Sequence, residues 1–391
     1  MTRATVISGE AGSPIAQGLT ASKPDRFRAF VETFEPPLGS LDGPLSDTPI
    51  AVKDMFDIAG RTAGWGIGRQ GSPARADSEF IARLKKSGAR ICGVTAMTPL
   101  AYEPSAAVPR DIHAINPRNP ERITGGSSSG SAAAVAAGLV DIAVGSDTGG
   151  SVRIPAHCCG VTALKTSYGA IPLDGAMPLA PSLDTVGFIA KSAHVIRPFF
   201  QAVTTQNNKA APVSKIAFAS DIRGACAPSI EARLDTVRPS FASVGLALSD
   251  ADVMSIIEAC DEPFFLILQG EAARSHSRNG LEGFDPLLLK RLQKGFAYSA
   301  GEISAARSKL AVLREHFIAT VFAKADALLL PVMPIETPEL AMCDPESKMF
   351  SPRTLYALSA FTRFVNAMGL PAVAFPAGQD SVGMPVALQL V

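Results

Sequence analysis

A stretch rich in small residues, Gly125–Arg153, constrains the fold more than any other part of the chain. It begins with the run Gly-Gly-Ser-Ser-Ser-Gly-Ser and ends with Gly-Ser-Asp-Thr-Gly-Gly-Ser-Val-Arg. Glycine has no Cβ, so both loops can adopt positive φ values and let another backbone or a ligand come close. The Ala-rich run Ser131–Gly138 between them favours a helix, for which Ser127 and Ser128 are suitable N-caps. The apolar segment Leu139–Val144 then predicts a short buried strand, so one helix and one strand join two glycine–serine loops.

Strand-like and helical segments alternate through the N-terminal part of the chain, and this rhythm predicts an α/β fold. The apolar segment Ile50–Lys53 predicts a strand, Ser78–Ser87 a helix and Ile91–Thr95 the next strand. Residues 1–25 read as an irregular arm. Asp25–Thr33 favours a short helix, and the segment Glu35–Asp47, rich in Pro, Gly and Asp, predicts a loop.

The C-terminal part continues the alternation with less distinctive patterns. We expect strands at Val161–Thr166, Ile216–Ala219, Ala327–Leu330, Ala372–Phe375 and Val386–Val391, and helices at Ser229–Ser243, Ile303–Ala323 and Leu355–Met368. No internal repeat or clean linker divides the chain. We therefore predict an N-terminal arm and loop over residues 1–47 and a single domain over 48–391. Its core would occupy about residues 48–190, and residues 190–391 would build the substrate pocket.

Composition excludes several classes of protein. Lys plus Arg equals Asp plus Glu at 36 each, so the chain lacks the basic excess that a nucleic-acid binder needs. No run reaches the about 18 apolar residues that span a membrane, and no signal peptide is evident. The six cysteines form no Cys-x-x-Cys pair and no His/Cys/Asp cluster has ligand spacing, so neither a metal nor another cofactor is expected. We predict a reduced, cytoplasmic setting.

Both loops are rich in serine, and a serine hydroxyl is a poor nucleophile unless a base takes its proton. None of the five histidines lies in a recognisable base motif. Lys53, at the end of a predicted strand, can act as a base if it is buried, because desolvation lowers the pKa of a lysine from about 10.4 toward neutrality. An exposed surface lysine is the simpler interpretation of that residue taken alone.

Taken together, these features resemble the amidase signature family, serine hydrolases that use a Ser–Ser–Lys triad. The resemblance rests on Val52–Asp54 and on the two glycine–serine loops with the helix between them. It extends over most of residues 48–391. Further segments that fit the family pattern are Pro155–Gly160, Ala163–Lys165, Ser182–Gly187, Gly369–Ala372 and Gly383–Val386.

The resemblance implies a fold and a triad. The fold would be a central mixed β-sheet flanked on both faces by α-helices. Ser151 would be the nucleophile, Ser127 the bridging serine and Lys53 the base, with a cis peptide before the bridging serine, where Gly126 makes such a bond tolerable. The two serines lie 24 residues apart in the sequence.

The second glycine–serine loop is expected to stabilise negative charge. By the resemblance, and by the ability of successive N–H groups to converge on one point, the oxyanion hole is formed by Thr148, Gly149, Gly150 and Ser151. Asp147 and Arg153 flank this loop and are expected to pair and hold it. The alternative is that Arg153 binds a substrate carboxylate. Supporting roles are also expected for Ser128, within the first loop, and for Asp184, behind the site.

Two other motifs overlap the first loop. Gly126–Gly130 satisfies Gly-x-Ser-x-Gly, which in an α/β-hydrolase would make Ser128 the nucleophile, but the preceding Asn119–Thr124 looks like a loop rather than the required strand. The spacing of Gly125 and Gly130 also fits a phosphate-binding loop. Ser131, however, stands where that motif needs a lysine.

The function implied by the resemblance is hydrolysis of a carboxylic amide to carboxylate and ammonia through an acyl-serine intermediate, as in malonamidase-like and indoleacetamide-hydrolase-like enzymes. The alternative is an amidotransferase A-type subunit that works within a complex. A small-molecule amide is the expected partner, and a homodimer is compatible with the sequence.

Trp65, Phe264 and Phe265 suggest an apolar acyl group if they do not belong to the core, and Arg363 would meet a carboxylate unless it is simply exposed. Relative to the family, the N-terminal arm is short, and the chain stops at Leu390-Val391, where members continue into a further helical segment.

Overall fold

The fold is described by a computed structural model covering residues 24–39, 42–46, 48–68, 71–108, 113–205, 212–277 and 286–391. The expected irregular arm of residues 1–25 lies almost entirely outside these residues. Within them, eleven strands join in one sheet. The strands are β1 (Phe30–Leu38), β2 (Thr48–Lys53), β3 (Ala89–Thr95), β4 (Ile142–Asp147), β5 (Thr162–Lys165), β6 (Thr185–Ala190), β7 (Lys215–Ala219), β8 (Ala247–Ala251), β9 (Ala327–Pro331), β10 (Ala372–Gln379) and β11 (Pro385–Leu390).

Helices connect the strands. They are α1 (Glu79–Lys86), α2 (Ser129–Ala136), α3 (Arg153–Cys159), α4 (Ala193–Val203), α5 (Pro228–Ser243), α6 (Met254–His276), α7 (Pro286–Phe296), α8 (Ala300–Phe317), α9 (Leu340–Cys343), α10 (Pro352–Ala357) and α11 (Arg363–Ala367). The sheet order is β1-β3-β2-β4-β6-β5-β10-β11-β9-β7-β8. The pairs β2–β3, β2–β4, β7–β8 and β7–β9 are parallel, and the other pairs are antiparallel.

Helices cover both faces of the sheet. In β4, Ile142 and Val144 belong to the hydrophobic core that contains side chains of α1 and α4. Ala143, between them, belongs to the core that contains the alanines of α2 and residues of α3. Because side chains alternate along a strand, these two cores lie on opposite faces. The predicted α/β fold, a central mixed sheet with helices on both faces, is confirmed.

The register of the central strands brings polar groups to one edge of the sheet. β2 and β4 are parallel neighbours, with Val52 opposite Val144, so their carboxyl ends lie side by side. Lys53 is the last residue of β2, and Asp147 is the last of β4. β6 runs antiparallel to β4 and starts at the same edge, where Thr185 pairs with Asp147.

The predicted short helix at Asp25–Thr33 is wrong, and the predicted loop at Glu35–Asp47 is wrong for Glu35–Leu38. Residues 30–38 form β1, which pairs antiparallel with β3 at the edge of the sheet. Along most of β1, partly buried residues alternate with exposed ones, as expected of an edge strand. Its two prolines are tolerated because an edge strand need not donate every N–H to a neighbour.

Other differences concern element bounds. The strand predicted at Leu139–Val144 runs from Ile142 to Asp147, because its polar end pairs with β6 as far as Asp147. The helix predicted at Leu355–Met368 is broken into α10 and α11, and the break leaves Thr362 facing the second glycine–serine loop. The helix between the two loops, α2, is confirmed, and Ser128 is its N-cap residue, although the Ser128 side chain makes no capping hydrogen bond.

Candidate active site

The centre of the candidate site is a buried lysine between two serines. Lys53 is 0% exposed, and its Nζ lies 2.7 Å from Ser127 Oγ and 2.8 Å from Ser146 Oγ. Burial lowers the pKa of Lys53 to about 7, although the charges of Asp147 and Asp184 act to raise it. Near pH 7 a large fraction of Lys53 is therefore neutral, and a neutral amine with a hydroxyl at 2.7 Å can accept a proton.

The first glycine–serine loop is held from behind by the segment that follows β3. The Gly126–Ser127 peptide is cis. Thr98 donates its backbone N–H to Ser127 O at 3.1 Å, and Gly126 N–H donates to Pro104 O at 2.6 Å. A Cβ at Gly126 would lie 2.5 Å from Glu103 O, so no larger residue fits there without movement. These contacts fix the backbone that carries the Ser127 hydroxyl.

The two glycine–serine loops lie next to each other. Ser128 donates its N–H to Ser151 O at 3.2 Å, and its hydroxyl lies 3.3 Å from both the backbone N and the backbone O of Ser146. Lys53 and Ser127 are fully buried, whereas Ser151 is partly exposed. The structure thus places Ser151 where the site meets solvent. Ser128 is buried behind it, and no strand precedes it within residues 113–127, which contain one isolated bridge, so the α/β-hydrolase arrangement is absent there.

Asp147 and Arg153 form a buried ion pair under the second loop. Arg153 Nε lies 3.0 Å from Asp147 Oδ2, Arg153 NH2 lies 3.0 Å from Asp147 Oδ1, and both side chains are 0% exposed. Burial acts to raise the pKa of Asp147, but the charge and hydrogen bonds of Arg153 outweigh it and hold that pKa at about 2. The carboxylate therefore stays charged throughout the pH range in which Lys53 titrates.

Arg153 also joins this loop to the C-terminal part of the chain. Its NH1 donates to Gln389 Oε1 at 2.8 Å, and its NH2 lies 2.6 Å from Asn366 Oδ1 and 3.0 Å from Thr362 O. A guanidinium that is fully buried and occupied in this way cannot bind a substrate carboxylate. The alternative role considered for Arg153 is therefore disfavoured.

The N–H groups of the second loop differ in whether the protein supplies an acceptor. Gly150 donates to Asp147 Oδ1 at 2.8 Å, so this donor is already used within the loop. Within the described residues, the N–H groups of Thr148, Gly149 and Ser151 have no acceptor in the protein. The Thr148 hydroxyl donates to Asp184 Oδ1 at 2.6 Å. Of the four residues expected to form an oxyanion hole, Thr148, Gly149 and Ser151 thus present free N–H donors, whereas Gly150 does not.

Asp184 supports the loop from the start of β6. Besides the Thr148 hydroxyl, its carboxylate accepts the N–H groups of Leu179 and Ala180 at 2.9 and 3.0 Å. Burial raises the pKa of Asp184, and the hydrogen bond from Thr148 opposes that rise. A cleft of about 240 Å³ borders this carboxylate, lined also by Met55 and by residues 173–181. The role of residues 190–391 in building the substrate pocket stays a prediction.

A second buried lysine lies on β5, on the other side of Asp147. Lys165 is 0% exposed, and its Nζ donates to Thr166 O at 2.9 Å and to Leu370 O at 2.7 Å. Burial lowers its pKa to about 7 as well; Asp147 opposes that shift and Arg153 adds to it. Sequence reasoning did not single out this residue beyond the family-like segment that contains it.

Four residues that hold the site had no recognisable sequence signal: Ser146, Thr362, Asn366 and Gln389. Asn366 donates to Asp147 O at 2.8 Å, and the other three make the contacts given above or below. Across the described residues, no group of three His, Cys, Asp or Glu side chains is arranged to bind a metal ion. In the same part of the chain, no helix is long and apolar enough to cross a membrane.

Comparison with known proteins gives the class. A family model described as Amidase matches residues 31–238 and 272–391, so the chain belongs to the amidase family. It is accordingly an enzyme of the carbon–nitrogen hydrolase class. This bears out the resemblance seen in the sequence.

Individual relatives cover most of the chain. A glutamyl-tRNA(Gln) amidotransferase component of Lachnospira eligens is 30% identical over 402 residues, covering 90% of this chain and 82% of the relative. A 1-carboxybiuret hydrolase component of Pseudomonas sp. strain ADP is also 30% identical, covering 90% and 81%. Among solved structures, a crystal structure of an amidase superimposes with a TM-score of 0.80 at 28% identity, over 89% of this chain and 81% of that one. Both proteins named as amidases and proteins named as subunits of larger enzymes are therefore among the relatives.

Proposed function

We propose that this protein is an amidohydrolase that cleaves a carboxylic amide to carboxylate and ammonia through an acyl-serine intermediate. The observation that carries the proposal is the buried Lys53, whose Nζ lies 2.7 Å from Ser127 Oγ and whose pKa is lowered to about 7 by burial. This arrangement gives a serine hydrolase a base without histidine. His157, four residues after Arg153 on α3, is no substitute, because burial lowers its pKa to about 4 and its Nδ1 accepts a hydrogen bond from Ala387 N–H.

In the proposed reaction, Ser151 Oγ attacks the amide carbonyl carbon. Its proton passes to Ser127 Oγ, while the Ser127 proton passes to Lys53 Nζ. When the tetrahedral intermediate collapses, the C–N bond breaks and the proton returns through Ser127 to the leaving nitrogen, so ammonia departs. Water then attacks the acyl-serine by the same proton route, releasing the carboxylate and restoring Ser151.

The negative charge of the tetrahedral intermediate needs preorganised donors. The N–H groups of Thr148, Gly149 and Ser151 are the donors of the second loop that have no acceptor among the described residues, and we assign the oxyanion hole to them. Gly150 contributes differently, because its N–H is used to hold the loop on Asp147. Ser128, Asp147, Arg153 and Asp184 act by fixing the loops rather than by touching the substrate.

A second candidate function is supported by the amidotransferase relatives: transfer of the released ammonia within a complex. The same triad chemistry would serve both functions, so the assay must separate them. Free-standing hydrolysis predicts that the isolated chain releases ammonia from primary amides. The complex-bound function predicts glutamine-dependent amidation only after partner proteins are added. A cytoplasmic location and a homodimer stay predictions.

Replacing the nucleophile tests the proposal directly. Ser151→Ala should abolish release of ammonia from a panel of primary amides, a loss of at least about 10³-fold, while the circular dichroism spectrum stays that of the wild type. Ser243→Ala, at the end of α5, is the control and should retain full activity. A fluorophosphonate probe should label Ser151. Labelling at Ser128, or amide turnover by Ser151→Ala, would overturn the assignment.

A further inference from the structure

We propose that the ion pair between Asp261 and Arg363 positions the second glycine–serine loop. The pair fixes the two side chains that contact Gly149, which are Phe264 on α6 and Thr362 directly before α11. The inference rests on the proposed function, because it concerns the donors that stabilise the tetrahedral intermediate. Neither residue touches the reacting atoms; both act through Phe264 and Thr362.

Thr362 holds the loop by hydrogen bonds. Its hydroxyl donates to Gly149 O at 2.6 Å, and its own carbonyl oxygen accepts from Arg153 at 3.0 Å. A Cβ at Gly150 would lie 2.3 Å from Thr362 Oγ1, so the loop and this side chain are in close contact. The peptide whose oxygen Thr362 binds is the Gly149–Gly150 peptide, which lies between the N–H groups of Gly149 and Ser151.

Phe264 confines the same residue by packing. A Cβ at Gly149 would lie 2.8 Å from Phe264 Cζ, and the ring is 1% exposed. A ring in this position prevents Gly149 from moving toward α6. Gly149 is therefore held by a hydrogen bond from Thr362 and by the packed ring of Phe264.

The ion pair sets the relative position of these two contacts. Asp261 lies three residues before Phe264 on α6, so both lie on one side of that helix. Arg363 directly follows Thr362 and begins α11. Its Nε lies 2.5 Å from Asp261 Oδ1 and its NH2 lies 2.8 Å from Asp261 Oδ2, a two-point contact that fixes orientation as well as distance.

Aromatic side chains enclose the guanidinium. Arg363 is 1% exposed, and its guanidinium carbon lies 4.1 Å from the centre of the Tyr356 ring and 4.9 Å from that of Phe265. The Tyr356 hydroxyl donates to Asp261 Oδ2 at 2.5 Å. Sequence analysis left open whether Arg363 meets a substrate carboxylate; its carboxylate partner is Asp261.

The family match does not account for this arrangement. The matched residues leave out 239–271, the segment that supplies Asp261, Phe264 and Phe265. The loop itself lies in the matched part, and so does Arg363. The loop that the proposal concerns thus lies within the match, whereas one partner of the ion pair lies outside it.

A positioning role predicts a particular kinetic pattern. Oxyanion donors act at about 2.7–3.1 Å from the developing charge, so a small displacement weakens the transition state more than the bound substrate. Asp261→Asn should therefore lower kcat about 10- to 100-fold with KM changed by less than about threefold. Arg363→Lys, which keeps the charge but loses the two-point contact, should lie between this variant and the wild type.

The control is Asp77→Asn. Asp77 pairs with Lys85 away from the site, and its side chain is 20% exposed compared with 21% for Asp261. This variant should match Asp261→Asn in its loss of melting temperature and keep the wild-type kcat. Equal kcat losses per folded molecule in the two variants, or an unchanged kcat in Asp261→Asn, would overturn the inference.

A double-mutant cycle tests the route of the effect. Thr362→Val removes the donor to Gly149 O, and if Asp261 acts through that contact, the double variant should lose less kcat than the product of the single losses. Losses that multiply would contradict a shared route. The rate of fluorophosphonate labelling of Ser151 is measured in parallel, because it depends on the same loop without an amide substrate. If the wild type turns over no amide, the proposed function fails, and the inference is then judged by whether Asp261→Asn slows labelling at least about tenfold.

Discussion

Lys53 and Lys165 are both fully buried and both have a pKa lowered to about 7, but they have different partners. Both side chains are 0% exposed, both feel the charge of Asp147, and burial lowers the pKa of each to about 7. Lys53 contacts the hydroxyls of Ser127 and Ser146. Lys165 contacts two backbone carbonyl oxygens.

The difference is one of donor and acceptor chemistry. A hydroxyl both donates and accepts, so it can deliver a proton to a neutral amine and receive one in turn. A carbonyl oxygen only accepts, so it can hold an amine but exchange no proton with it. A lowered pKa makes both lysines candidates for the base, and the neighbouring groups favour Lys53 as the proposed base over Lys165.

The largest expected effect comes from Lys53, the proposed base. Lys53→Arg keeps a positive charge that cannot be lost near neutral pH, so kcat/KM for an amide should fall about 10²- to 10⁴-fold. An activated ester, whose leaving group needs no proton, should lose less. Lys165→Met is the matched control and should retain amide turnover within about tenfold. Near-normal amide turnover in Lys53→Arg would transfer the role of base to another group.

The pH dependence of the rate follows from the same pKa. Lys53 accepts a proton only when neutral, so kcat/KM of the wild type should rise with pH and level off above about 7. Lys165→Met should keep this inflection. If Lys165→Met lost this inflection, Lys165 rather than Lys53 would be the base.

A smaller effect is expected on stability from the second lysine. Lys165→Met leaves Thr166 O and Leu370 O without this donor, which costs about 1–3 kcal/mol per buried group at about pH 9, where the lysine is neutral. The native pKa of about 7 lies below the ordinary value of 10.5, so between these values the unfolded chain holds more protons than the native chain. The unfolding free energy of the wild type therefore gains up to about 1.4 kcal/mol per pH unit relative to the variant. Urea unfolding of both proteins from about pH 6 to about pH 9 measures this gain, and parallel curves would show that Lys165 is protonated throughout.

The smallest effect should come from removing metal ions. Prolonged treatment with EDTA should leave activity within about twofold of the untreated enzyme, because the proposed base is an amine rather than a metal-bound hydroxide. Loss of activity that zinc restores would contradict the proposal that a lysine is the base.

Local sequence signals were enough for the parts of the site that are contiguous in the chain. The two glycine–serine loops, the helix between them and Lys53 at a strand end were all recognisable, because small residues and apolar runs have strong local preferences. Asn366 and Gln389 were not recognisable, since their roles depend on Arg153, which lies 213 and 236 residues away in the sequence. The direction of the Gly150 N–H was also beyond prediction, because it is fixed by the Asp147 carboxylate rather than by the local sequence.

In the fold, too, the elements with a strong local sequence pattern were the ones predicted. Central strands such as β2 and β3 were predicted because they are continuous apolar runs. The edge strand β1 was missed, since its partly covered residues alternate with exposed ones and two prolines interrupt it. The break between α10 and α11 was missed too; the hydrogen bond of Thr362 to Gly149 O there joins residues 213 apart, which a local pattern does not show.

The hydrogen bond between Arg153 and Gln389 spans 236 residues and has a consequence for synthesis of the chain. All three proposed triad residues have left the ribosome long before β11 is made. Arg153, under the second glycine–serine loop, nevertheless lacks Gln389 as a partner until that strand docks. A nascent chain would thus carry every proposed reacting group before the contacts of Arg153 are complete. Contacts this distant in sequence also form slowly, so acquisition of activity should be among the last events of folding.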